Sequence, residues 1–218
     1  MPDIAKINNV AVADISKLDS ITFAHGQKVN NQDVSLVTDA HTLIATATAS
    51  SSATLSFTTG IDSTYDAYEF RFMNMHPASS GVTLGFQVNA DGLTGFNETI
   101  TSSAFRAYHR ETGEETRLEY YASSDQAQGT AYQQITSGIG IENDESCSGI
   151  LTLYAPSSTT YVKHFTSRLN GYNDSDYSVE VHIGGYINTT SAIDEISFKM
   201  SSGNIDAGVI NLYGIATS

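Results

Sequence analysis

Apolar side chains in this sequence recur at every second position, and helical spacing is weak throughout. Tyr68, Phe70 and Phe72 alternate with Glu69 and Arg71; Leu84, Phe86 and Val88 alternate with Gly85 and Gln87; Val179, Val181 and Ile183 alternate with Glu180 and His182. Successive side chains of a strand point to opposite faces, so each run predicts one face in a core and one in water. That parity puts Gly85 and Gln87 on a wet face and His182 at solvent or an interface. Ten segments carry strand texture: 54–57, 65–73, 81–88, 104–109, 117–121, 149–154, 161–169, 178–186, 193–200 and 209–215. Asp91-Gly92, Thr112-Gly113, Asn170-Gly171 and Gly203-Asn204 separate them with turn residues. Short strands joined by tight turns predict an all-β chain in which residues 54–218 form an antiparallel β-sandwich or jelly roll.

The first 37 residues follow a different rule. Aligning Lys6, Lys17 and Lys28, each 11 residues apart, brings together Ile7, Leu18 and Val29, then Asn8, Asp19 and Asn30; Ile4 matches Ile15, Val10 matches Ile21 and Val12 matches Phe23. An 11-residue period can mark a right-handed helical supercoil, but Asn8-Asn9, Asp19-Ser20 and Asn30-Asn31 fall where a helix breaks and a tight turn is favoured. Three short β repeats are therefore expected over residues 1–37, as an extended N-terminal arm for docking and oligomerisation. Units this small bury no core of their own. Ile4, Ile7, Val10, Val12, Ile15, Leu18, Ile21, Phe23 and Val29 are expected to pack on the body, on neighbouring copies or on a larger assembly. Residues 38–53, rich in Ala, Ser and Thr, read as a linker or an exposed strand edge.

Composition narrows the partners. The chain has 10 Lys and Arg against 24 Asp and Glu, a formal charge of −14, which opposes a phosphate backbone or an anionic membrane. Nucleic acid and membrane are therefore not expected as partners. The 27 serines and 24 threonines outnumber all charged residues, so the surface is hydroxyl-rich. No window approaches the ~18 consecutive apolar residues of a membrane helix, and residues 1–12 lack a basic-then-apolar leader pattern. A soluble, non-exported protein is the expectation. Cys147 is the single cysteine, which excludes an intrachain disulfide and a cysteine-based zinc site within one chain.

No catalytic or cofactor motif emerges. His25, His41, His76, His109, His164 and His182 show no HExxH or HxH spacing, and Gly138 and Gly140 lack the residues that complete a phosphate loop. Glu111, Glu114, Glu115 and Glu119 form one acidic cluster, and Glu142, Asp144 and Glu145 another. Paired carboxylates can hydrolyse glycosides, but runs this dense in turn-like segments read as solvated loops. Asp174 and Asp176 offer oxygen ligands for calcium without EF-hand spacing, so neither metal nor cofactor is expected. Cys147, with no base beside it, reads as a packed thiol. Tyr120, Tyr121, Tyr132, Tyr172 and Tyr177 lie near predicted loops, at core edges or subunit interfaces. In the alternative of a glycan-binding chain, Tyr132, Tyr172 and Tyr177 are the candidate contacts.

Two stretches resemble proteins of tailed-bacteriophage particles. Ile4-Ala5-Lys6-Ile7-Asn8-Asn9-Val10, followed by Ile15-Ser16-Lys17-Leu18, is similar to short lysine-containing repeats that open many phage virion proteins. Ala192-Ile193-Asp194-Glu195-Ile196-Ser197-Phe198, then Gly203-Asn204-Ile205, Gly208 and Leu212-Tyr213-Gly214-Ile215, is similar to the closing strands of a jelly-roll module of phage fibre, tail and capsid-associated proteins. The resemblance implies a virion structural protein with no catalytic residues, a homotrimer made in the host cytoplasm and assembled on the virion. A chain of this length, with neither a long shaft repeat nor a tail anchor, fits capsid decoration (cement) or a head fibre bound to the major capsid protein or other virion proteins. The alternative is a tail-associated carbohydrate-binding module for host attachment.

Overall fold

The computed structural model describes residues 41–215 and, before them, the short strands β1 (Lys6–Ile7), β2 (Val10–Ala11), β3 (Lys28–Val29) and β4 (Gln32–Asp33). Two compact units divide the chain, Met1–Ala40 and His41–Ser218. In the first, β1 pairs antiparallel with β2, Ile7 opposite Val10, and β3 pairs with β4, Val29 opposite Gln32. The residues between the paired strands are Asn8-Asn9 and Asn30-Asn31, so the first and third repeats build the same antiparallel pair at the same repeat position. Ile7, Val10 and Val29 fall in these strands. Ile4, Val12, Ile15, Leu18, Ile21 and Phe23 lie outside the described residues.

The second unit is a two-sheet antiparallel β-sandwich. Its strands are β5 (His41–Thr48), β6 (Leu55–Phe57), β7 (Ala67–Pro77), β8 (Leu84–Ala90), β9 (Ile100–Arg110), β10 (Thr116–Tyr120), β11 (Gln126–Gly129), β12 (Gln133–Gln134), β13 (Cys147–Tyr154), β14 (Lys163–Tyr172), β15 (Tyr177–Ile187), β16 (Ile193–Met200) and β17 (Ile205–Ile215). The large sheet has the order β10-β9-β15-β14-β13-β7-β17-β5, with β11 also on β9; the small sheet has the order β12-β8-β16-β6. All ten strands expected from alternation are present. The stretch 38–53 is not a linker throughout: His41–Thr48 pairs with β17 along its length, from Ile215 opposite His41 to Val209 opposite Thr48. The body therefore begins at His41, because backbone pairing makes a strand of residues whose small side chains gave no hydrophobic signal.

The core lies between the sheets and is built from the predicted buried parity. Tyr68, Phe70 and Phe72 of β7 and Phe86 and Phe198 of the small sheet are 0–2% exposed. Phe198 meets Phe72 and Phe70 with ring centroids at 5.2 and 5.4 Å, and Phe86 meets Phe165 edge-on at 5.0 Å. Such edge-to-face pairs add to the gain from removing apolar area from water. The wet face expected for Gly85 and Gln87 does not exist. Every residue of β8 is buried, because Glu98 and the chain entering β12, residues 130–133, lie over its outer face. The Gln87 amide there donates to the carbonyls of Glu98 (2.9 Å), Thr130 (3.1 Å) and Ala131 (3.2 Å), which offsets its burial. Lys163 on the inner parity of β14 is likewise satisfied, donating to the carbonyls of Tyr161 and Thr189 at 3.1 and 3.2 Å.

Candidate functional site

The large sheet has nine strands against four in the small one, and its outer face carries the most organised surface of the body. Directly opposite residues of an antiparallel ladder share a face. One row follows the register across eight strands: Tyr120, Phe105, His182, Arg168, Ile150, Arg71, Asn211 and Thr46. The next row runs Ser103, Gly184, Thr166, Thr152, Glu69, Tyr213 and Leu43. Among the described residues, seven of the ten exposed large apolar side chains stand on this face: Leu43, Met73, Phe105, Leu118, Tyr120, Ile150 and Tyr154. Scattered exposed apolar residues are ordinary, whereas their collection on one face makes it the candidate surface of the body.

The middle of the face is a depression of about 610 Å³, lined by Glu69, Ser103, Phe105, Ile150, Thr152, Thr166, Arg168, His182 and Gly184, with Ser167 and Ile183 beneath. The Phe105 ring and the His182 imidazole lie face to face, centroids 4.7 Å apart and planes 7° from parallel. Glu180 takes a hydrogen bond from Arg168 Nε and lies 3.6 Å from His182 Nε2, so one carboxylate borders both side chains. Across the depression Glu69 takes a hydrogen bond from Arg71 Nε, while that guanidinium lies 4.5 Å from the Tyr213 ring centroid. Around the depression two arginines, Arg71 and Arg168, are thus matched by two glutamates, Glu69 and Glu180, on a chain of −14. His41, His109, His164 and His182 also stand on this face, on four different strands, without converging.

The other expected site residues lie elsewhere. Tyr132 packs under Lys199, whose ammonium is 4.1 Å from the ring centroid, in a small depression over the other sheet. Tyr177 donates to Glu115 Oε2 at 2.6 Å and meets Tyr108 edge-on at 5.5 Å. Tyr172 donates to Asp176 Oδ1 at 3.3 Å, and loss of water followed by the charges of Glu111 and Asp176 pushes its phenol up to about 12. Tyr177 and Tyr132 line separate depressions, so the tyrosines expected as glycan contacts form no common site. Parity was the only available signal for the outer face, and the sequence left the parity of residues 104–109 and 149–154 unassigned.

Some members of each acidic cluster are committed to structure, while Glu111, Glu114, Glu142 and Asp144 are exposed. Glu119 accepts from Arg106 at 2.9 and 2.7 Å and pairs with Arg117 at 2.8 Å. Glu145, 6% exposed, accepts from the backbone N–H of Glu142 at 2.6 Å and closes its own turn. A polar depression of about 440 Å³ lies beside it. There His76 Nε2 is 3.2 Å from the carbonyls of Ile141 and Glu142, so that nitrogen carries the proton. Among the described residues no group of three or more His, Cys, Asp and Glu side chains is placed to hold a metal ion. Cys147 is buried in the core, where burial pushes its thiol up to about 12. A scan of protein families and searches of curated proteins and of solved structures find no match to this chain.

Proposed function

We propose that this chain is a structural protein of a tailed-bacteriophage particle, a capsid decoration (cement) or head-fibre protein that attaches through its N-terminal repeats and projects its sandwich. The observation that carries this reading is the recurrence of one antiparallel pair, Lys6–Ala11 and Lys28–Asp33, two repeats apart, in a unit separate from the body. An isolated pair of such strands is marginal in water, so repeated pairs of this size gain stability by lying on a partner. The partner is the major capsid protein or another virion protein. Burial of the arm's apolar residues would contribute at about 25 cal/mol per Å², and several weak units on one chain act as a multivalent clamp. A closed homotrimer presents three such arms together. The reading needs no catalytic residue, cofactor or metal.

The test is removal of residues 1–40, the boundary between the two units. The shortened chain is expected to keep its strand-type circular dichroism, to sediment as a monomer and to stay in the supernatant when particles are pelleted. Particle binding and oligomer size equal to those of the full chain would overturn the proposal.

A further inference from the structure

We propose that the depression on the outer face of the large sheet is a binding groove for a neutral oligosaccharide. The site is different from the tyrosine loops and independent of where the arm attaches. A sugar ring presents a flat patch of C–H bonds and a rim of hydroxyls that both donate and accept. The groove offers the complement of each. Phe105, 48% exposed and stacked on His182, makes a rigid apolar plate in register with the exposed Ile150 three strands away. The adjoining row carries the hydroxyls of Thr166 and Thr152 side by side and that of Ser103 across Gly184, each able to donate and accept, with Thr166 Oγ1 also 3.1 Å from the Tyr154 hydroxyl. Arg168 is held by Glu180 through Nε alone, which leaves the rest of its donor fork facing solvent.

Size and charge select the ligand. About 610 Å³ lies within the range of ~300–1,000 Å³ of small-molecule sites, and mostly apolar walls with a few fixed polar groups are their usual lining. The groove crosses β9, β15, β14, β13 and β7, four spacings of about 4.8 Å, a length that suits several linked rings better than one. A polyanion meets a protein of charge −14, whereas an uncharged chain meets a depression whose bordering arginines and glutamates are paired. The floor is kept open by Gly184 between Ser103 and Thr166, where an added Cβ would touch nothing within 4 Å. A second copy of this chain is the rival occupant. Two depressions do not interlock, and a self-complementary interface needs about 800 Å² of close fit per partner.

Gly184 supplies the test, because its Cβ position is open and its backbone suits any residue, so Gly184→Leu puts a side chain into the groove without backbone strain. The full chain is offered to an array of neutral hexasaccharides built on glucose, mannose, galactose and N-acetylglucosamine, with a heparin hexasaccharide as the polyanionic control. Any sugar captured is then titrated by calorimetry. Binding of at least one neutral hexasaccharide is expected, weakened at least about tenfold by Gly184→Leu and by Phe105→Ala but unchanged by Tyr132→Ala. The thermal midpoint of Gly184→Leu should match that of the parent, which separates a filled groove from a damaged fold. Capture of none of the neutral sugars, or capture that survives Gly184→Leu, would overturn the proposal. So would a fall in sedimentation mass on Gly184→Leu, which would assign the face to a second copy.

Discussion

Gly184 and Gly185 are neighbours in one strand and identical in sequence, yet they stand in opposite situations. A Cβ on Gly184 meets open space, whereas one on Gly185 would lie 2.5 Å from the Thr101 carbonyl oxygen and 2.8 Å from the Phe165 ring. Gly185 lets β9 and β14 approach a shared strand, and a methyl there must push backbone aside. Gly185→Ala is expected to lower stability by about 1–3 kcal/mol in urea unfolding, the usual cost of overpacking, while Gly184→Ala leaves it within about 0.5 kcal/mol. Equal losses in the two variants would contradict the packing described. Nothing in the residues themselves distinguishes the pair, because β9 and β14 flank both and the difference lies in the face of the sheet that each position takes.

At the scale of the element, alternation located strands far better than it assigned their faces. Residues 193–200 were legible to the residue, since Ile193, Ile196, Phe198 and Met200 have few places to go but a core. β5 was not, because Thr42, Ala45, Thr46, Ala47 and Thr48 suit a linker as well as an edge. β11 and β12 are too short for a period to register. β8 shows the converse error: Gln87 reads as wet because it alternates with Leu84, Phe86 and Val88, and it is dry because residues distant in sequence cover it. Its amide serves three carbonyls, so Gln87→Ala strands acceptors that water does not reach. A loss of about 1–3 kcal/mol is expected from chemical denaturation, with Gln87→Glu no better because a carboxylate cannot donate. A neutral Gln87→Ala would mean that water already reaches those carbonyls.

On the scale of the whole molecule, the sandwich class was legible and the outer-face site was not. Phe105, Ile150, Thr166 and His182 are dispersed over nearly eighty residues, and they meet only through the register of four strands. Register is set by turns and by the opposing face of each strand, and it is invisible to any single segment. The arm is the opposite case, since its 11-residue period is entirely local and its paired strands fall at matching repeat positions.

The place of β17 has a consequence for how the protein is made. The last strand of the body lies between two of the earliest, pairing with β7 on one side and β5 on the other. During vectorial synthesis β5 leaves the ribosome long before its ladder partner exists, and the sheet stays split there until residues 205–215 have been made. Closure is then a late, non-local event of the kind that slows folding. Chains stopped after Asn204 are expected to be digested by protease at concentrations that leave the complete protein intact. Equal resistance of the two would show that the first strands hold together without the last.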